Sequence, residues 1–198
     1  TGLFGFTNGA TLRQVGLDGV DVRGSRYVGG LVGYSRYSNI TQSYVSGVVQ
    51  GLENVGGLIG YQEDGDTSQS YAASSVQGSR YVGGLLGWSE RALIRESYAV
   101  GSVAGDDAIG GLVGLNRGGI RNSYATGAVA GGTYVGGLVG RTYFAIFDSH
   151  WDSASTGQIG SGTSGGVAEV TASNRYNHSA YQNLGTWEQL YGDVYIAK

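Results

Sequence analysis

The sequence predicts an all-β fold, a parallel β-solenoid, on three observations. A block GGLxG starts at Gly29, Gly56, Gly83, Gly110 and Gly136, at steps of 27, 27, 27 and 26 residues. Two further markers keep the same beat. One runs Ser43-Tyr44, Ser70-Tyr71, Ser97-Tyr98, Ser123-Tyr124 and Ser149-His150, and the other is the valine column Val49, Val76, Val103, Val129. The unit is rich in Gly, Val, Ser, Thr and Tyr, which suit strands and turns. Helical repeats run longer, roughly 33 to 47 residues, and the Leu-x-x-Leu-x-Leu pattern of leucine-rich repeats is missing. One such unit cannot bury its own apolar side, so it gains stability by stacking on its neighbours.

Each copy is expected to form two or three short strands, near "YVGGLVGY", "ITQSYVS" and "GVVQG". A worn first copy stands at "GLFGF" (Gly2–Phe6), making about six coils of 26–28 residues. At ~4.8 Å per coil they would build a rod on the order of 30 Å long. The general crossover preference makes it right-handed. Gly24, Gly51, Gly78, Gly105 and Gly131 mark a corner that needs positive φ or tight backbone approach. Leu31, Leu58, Leu85, Leu112 and Leu138 are the candidate core, beside the column Val28, Val55, Val82, Ile109, Val135. Between Gly114 and Ile120, "NRGG" replaces the longer "WSERAL", and a change of length marks a surface turn. The expected organisation is repeats over 1–158, then a cap or a linker to another module over 159–198. "GSGTSGG" reads as a loop. The aromatic tail after it would cover strand edges that otherwise invite aggregation.

Stacking places equivalent residues above one another. One column reads Arg26, Glu53, Arg80, Asp107 and alternates in sign at every step. Opposite charges one strand apart attract by roughly 0.2–1 kcal/mol. A second reads Arg36, Glu63, Glu90, Arg117 and contains one like-charge step. Phe6, Tyr34, Tyr61 and Trp88 share a position that passes to Leu115 and Arg141. Tyr44, Tyr71, Tyr98 and Tyr124 share another that passes to His150. Strand alternation puts Ser43, Val45 and Val49 on one face and Tyr44 on the other. The positions under Val45 are Ala72, Ala99 and Ala125, small enough for a narrow interior. The tyrosines are therefore expected outside; the competing arrangement packs them into the core.

Composition bounds the function. Glycine supplies 39 of 198 residues, and proline, cysteine and methionine are absent. A net charge of −3 with 14% charged residues argues against nucleic-acid binding, which needs a basic face. No run of 18 apolar residues exists to span a membrane as a helix. No signal peptide opens the chain, so a mature product or an internal fragment is expected, and the start "TGLFGF" without Met favours a fragment. Disulfides and thiolate metal sites are excluded without cysteine.

The site chemistry is sparse. GGLxG lacks the following helix that a dinucleotide loop requires. HExxH does not occur. "DSHWD" would put Asp148, His150 and Asp152 on one strand face, a weak candidate for a divalent cation or acid–base work. Against it, Asp148 continues a column that is polar in every coil. "EDGD" (Glu63–Asp66) and "GDDAIG" (Gly105–Gly110) are acidic turns with a weak calcium option, since the calcium β-roll pattern is absent. The column Tyr44, Tyr71, Tyr98, Tyr124 is the candidate ligand-binding stripe, because tyrosine offers contact area at low entropy cost. The bland alternative is cross-strand stacking.

"YVGGLVGYSRYSNITQSYVSG" and "IGGLVGLNRGGIRNSYATGAVAG" resemble the GLUG-motif repeat. "SHWDSASTGQ" (Ser149–Gln158) resembles the segment that often ends such arrays, with Thr156 in place of a serine. The similarity covers about residues 27–158. It implies an elongated passenger region of a bacterial surface or secreted protein, as in filamentous-haemagglutinin-like adhesins and the non-catalytic parts of immunoglobulin-A-cleaving metallopeptidases. It implies no activity and no cofactor. The expectation is a stalk or adhesive rod within a larger protein, contacting a host or matrix glycan or a protein receptor. The rivals are a carbohydrate-active β-helix enzyme, or an ice-binding solenoid, for which the threonine columns are too poor.

Overall fold

The computed structural model describes residues 1–152, 159–161, 167–170, 187–190 and 194–197, and every element among them is a β-strand. A coil contains four strands, as in Arg26–Gly29, Val32–Arg36, Asn39–Thr41 and Tyr44–Gln50. That exceeds the expected two or three. "YVGGLVGY" breaks at Gly30–Leu31, and "ITQSYVS" breaks at Gln42–Ser43. Successive coils pair in parallel and in register, with Val32, Ile59, Leu86, Val113 and Val139 in one column. Five turns are complete from Phe4 to Leu138, and a sixth begins at Val139. The strands form two large sheets. One joins the Val32–Arg36 and Asn39–Thr41 stacks; the other joins the Tyr44–Gln50 and Arg26–Gly29 stacks.

Parallel pairing continues past the repeats. Ile159–Ser161 pairs with the strand Val139–Thr142, and Val167–Val170 pairs with Ser149–Asp152. The boundary at 158 thus ends the GGLxG period and not the stacking. Trp187–Leu190 and Val194–Ala197 form an antiparallel pair.

The expected core is the observed one. The leucine column, the Val32 column, Val45 and Ala72, Ala99 and Ala125 form one buried cluster. Val28, Val55, Val82 and Ile109 pack with Val49, Val76, Val103 and Val129 in a second. Their burial removes the apolar side of each coil from water, at roughly 25 cal/mol per Å².

The GGLxG glycines serve close backbone approach. A Cβ on Gly57 would lie 2.2 Å from the Gly84 carbonyl oxygen, one on Gly84 2.1 Å from that of Gly111, and one on Gly111 2.1 Å from that of Gly137. The second glycine of each block therefore sits against its own copy in the next coil. The corner glycines also act through space and not through φ. At Gly51 a Cβ would come within 2.8 Å of the Val28 and Val55 methyls.

Positive φ falls on four other glycines, Gly9, Gly19, Gly47 and Gly65, and on fourteen non-glycine residues in three columns. These are Tyr27, Asn54, Tyr81, Ala108, Tyr134; then Tyr37, Asp64, Arg91; and Gln14, Gln42, Gln69, Glu96, Asn122, Asp148. Such residues store strain of order 1–3 kcal/mol each. The ladder holds them, because the corner N–H groups stay bonded: those of Gln42, Gln69, Glu96 and Asn122 donate to the carbonyls of Ser68, Arg95, Arg121 and Phe147 at 3.1–3.2 Å.

The serine of each Ser-Tyr pair links two coils. Its Oγ donates to the carbonyl two residues back, at 2.8 Å for Ser43, Ser70, Ser97, Ser123 and Ser149. The same Oγ accepts the N–H of the equivalent serine in the coil before. Ser43, Ser70, Ser97 and Ser123 donate in this way at 3.1–3.3 Å.

The charge columns stack as expected. Arg26 meets Glu53 at 2.8 Å, and Arg80 meets Asp107 at 3.4 Å. The like-charge step between Glu63 and Glu90 is resolved from outside its column. Arg91 reaches Glu63, Asp64 and Glu90 at 3.0, 3.1 and 3.2 Å. Its hydrogen bond to Asp64 raises the guanidinium pKa and lowers that of the carboxylate. Arg91 and Ala92 occupy the predicted length change, where one residue, Gly118, stands in the next coil.

Candidate functional site

The rod carries two aromatic ladders that differ in kind. Tyr44, Tyr71, Tyr98 and Tyr124 stand in register on strands whose next residues, Val45, Ala72, Ala99 and Ala125, point into the core. The phenol rings therefore lie away from the interior. Their centroids are 4.9, 4.7 and 5.0 Å apart, with planes 4°, 2° and 4° from parallel. Exposure is where the expectation of an open stripe needs correcting. Tyr44 and Tyr71 are half-buried, but Tyr98 and Tyr124 are each 1% exposed. Parallel stacking at this spacing covers both faces of an inner ring. Burial also pushes the phenol pKa of Tyr98 well above its ordinary value. At the open end, Tyr44 donates to Asp18 at 2.9 Å.

The second ladder follows the GGLxG block. Phe6, Tyr34, Tyr61 and Trp88 are spaced 5.2, 5.0 and 5.3 Å between centroids, with planes tilted by 59°, 56° and 87°. Two rings from the neighbouring strand stack widen it. Tyr27 lies 5.5 Å from both Tyr34 and Tyr61, and Tyr81 lies 5.1 Å from Trp88. Both enter from positive-φ positions, so strand alternation alone does not place them there. Phe6 is exposed and the other five are half-buried. Tilted rings do not cover one another's faces as parallel rings do, so part of each stays available.

Charged groups run along one edge of this face. Tyr34 Oη donates to Glu63, and Trp88 Nε1 donates to Glu90 at 3.2 Å. Arg36 reaches Glu63 at 3.4 Å, and Arg117 reaches Glu90 at 3.9 Å while lying 5.6 Å over the Trp88 ring. Burial and then the bond to Glu63 push the Tyr34 phenol up to about 12. Burial and then the charges of Glu63 and Glu90 push Tyr61 up to about 12. Both phenols keep their proton near neutral pH and can donate it in a hydrogen bond.

Of the Asp148, His150, Asp152 set, the described residues include the side chains of the first two alone. Asp148 precedes its strand with φ 48°, so the two-residue period does not carry across to His150. Asp148 is exposed, His150 is 7% exposed, and the side chain of Asp152 lies outside the described residues. Among the described residues no group of three or more His, Cys, Asp or Glu is placed to hold a metal ion. The acidic turns are engaged by protein donors: Asp106 accepts from Ser79 at 2.6 Å, and Asp107 accepts from Thr133 at 2.9 Å. The array-ending segment of 153–158 is outside the described residues.

His150 supplies a pH prediction. Burial lowers its pKa, opposed by the charge of Asp148. The folded state thus favours the neutral ring. Its stabilising effect is complete above the unfolded value of about 6.5 and is lost as pH falls from there through the folded-state pKa. The expected result is a melting temperature that drops as pH falls below about 6.5, and a smaller drop in His150→Tyr, which restores the residue of the column. An equal drop in both proteins would remove His150 from the explanation.

Two segments, residues 24–50 and 105–130, match the GLUG motif model. Each covers one coil, from the corner glycine column through the GGLxG and Ser-Tyr markers. A crystal structure from Bacteroides ovatus, provisionally described as an immunoglobulin A1 protease, matches with a TM-score of 0.67 at 17% identity, covering 98% of this chain and 74% of that one. At that identity the likeness is one of fold. No curated protein matches the chain at a significant level. The chain is a parallel β-solenoid that carries the GLUG motif.

Proposed function

We propose that this chain is a structural and binding segment, a stalk or adhesive rod, of a bacterial extracellular adhesin, with no catalytic role of its own. The observation that supports it most is the second aromatic ladder, a row of partly open rings on a scaffold whose every coil is locked to the next. Such a scaffold holds many weak contacts at fixed spacing, so that the binding of one brings the next within reach. The partner class is a host or matrix glycan or a protein receptor, met by one part of a larger protein. The GLUG motif and the fold shared with the Bacteroides ovatus structure support a surface or secreted setting. They fit a non-catalytic part of a secreted peptidase equally well.

One observation favours a second reading, a carbohydrate-active enzyme. Glu63 and Glu90 stand on adjacent rungs beside tyrosine and tryptophan. Glycoside hydrolysis uses paired carboxylates, one of which must release a proton. Here both are tied to arginines, which favour the charged form.

The chain, immobilised, should retain members of a glycan and matrix-protein panel while releasing no reducing or unsaturated ends from polysaccharides. Release of such ends would establish the enzyme reading. Retention of nothing would leave a stalk alone.

A further inference from the structure

Of the two ladders, one is closed and one is open. The Tyr44 ladder stacks its rings in parallel and buries Tyr98 and Tyr124, so it serves the scaffold. The Phe6 ladder tilts its rings and keeps them partly exposed across four coils. We propose that the face made by Phe6, Tyr34, Tyr61 and Trp88, widened by Tyr27 and Tyr81, binds an uncharged polysaccharide chain laid along the rod axis. The proposal rests on the binding-segment reading above and names its ligand and its place.

Three features select that ligand. The first is repeat length. The ring centroids advance by 5.0–5.3 Å per coil, a step comparable to one pyranose residue in an extended glycan. A periodic ligand can therefore meet successive rings in equivalent ways. The second is charge. Arg36, Arg91 and Arg117 are matched by Glu63, Asp64 and Glu90 within one network, so the edge of the face has no net charge. A polyanion or a polycation gains nothing from it, while hydroxyl groups find donors and acceptors side by side. The third is ring chemistry. Aromatic faces carry negative potential, and the C–H groups on the face of a sugar ring are weakly positive.

Native electrophoresis through gels containing a soluble neutral glucan, mannan or xylan, with heparin as the polyanion, tests this. The wild-type chain should be retarded by at least one neutral glycan, with little change on adding salt, because no ion pairs form. Tyr61→Ala and Trp88→Ala should each weaken retardation on the order of tenfold. Tyr71→Ala, on the closed ladder, should leave it unchanged, with circular dichroism confirming that all three variants fold. Retardation by heparin alone, or neutral-glycan binding that survives both Tyr61→Ala and Trp88→Ala, would overturn the assignment of this face and leave the binding-segment reading standing. Retention of matrix proteins without any glycan would do the same. Failure to bind every glycan and every matrix protein would remove both.

Discussion

Gly84→Ala is expected to cost on the order of 4 kcal/mol or more of stability, at or beyond the upper end of what overpacking does. The new Cβ would lie 2.1 Å from the Gly111 carbonyl oxygen and 2.7 Å from the Ala99 Cβ. Ordinary contacts need more than an ångström of extra room. No flexible side chain can yield it, because the obstructing atom is backbone in the next coil. That backbone is itself held: Leu85 donates to Leu112 at 2.8 Å, and Gly84 donates to Gly110 at 3.2 Å. Separating the coils there would break these bonds and open the leucine column beside them. A stacked repeat is stabilised by its neighbour interfaces, so one prised interface weakens both sides of the rod. Gly5→Ala is the control, since a Cβ there meets nothing within 4 Å, and its effect should stay within about 0.5 kcal/mol. Urea denaturation followed by circular dichroism compares the two. Equal midpoints would show that the glycine spine is not a packing requirement.

Much of this fold was legible because in-register parallel stacking converts sequence period directly into contact. Arg26, Glu53, Arg80 and Asp107 are 27 residues apart in sequence and adjacent in space. The same holds for the leucine column and for the serine-tyrosine pairs. What stayed hidden falls outside a column-by-column view. Arg91 neutralises the Glu63–Glu90 step from a bulge within the strand Leu86–Arg95, and its side chain reaches across coils. Tyr27 and Tyr81 join the Phe6 ladder only because positive φ redirects them, and tyrosine is not a residue type that signals that conformation.

The candidate site was legible only in part, and for a related reason. Alternation says on which side of a strand a residue lies, and it put Tyr44 and its copies opposite the Val45 column, yet Tyr98 and Tyr124 are buried. It says nothing about ring tilt or cover. Those distinguish the closed ladder, with planes within 4° of parallel, from the open one, with planes 56–87° apart. Both ladders appear in the sequence as aromatic columns of the same period. A signal that separates them is the company they keep: the open ladder has Glu63 and Glu90 two residues further along the strand, and the closed ladder has serine, alanine and glycine nearby.

Ser97→Ala is expected to destabilise the rod by about 1–3 kcal/mol, the cost of leaving a buried backbone donor without its acceptor. Ser97 is fully buried, and its Oγ accepts the Ser70 N–H at 3.3 Å while donating to the Arg95 carbonyl at 2.8 Å. The two losses are unequal. The Arg95 carbonyl also accepts the Gln69 N–H at 3.2 Å, so it keeps a partner. The Ser70 N–H has its bond to Ser97 Oγ and sits where Ser70 is 1% exposed, so water reaches it poorly. Alanine adds no steric strain at this site, which separates the hydrogen-bond effect from packing. The comparison is Ser102→Ala, whose exposed hydroxyl meets Ser75 Oγ at 3.1 Å; its effect should stay within about 0.5 kcal/mol. Hydrogen exchange adds a local readout, because the Ser70 amide should lose protection in Ser97→Ala before the rest of the coil does. Unchanged protection at Ser70, with a stability equal to that of Ser102→Ala, would show that the serine of the repeat is a spacer and not a link between coils.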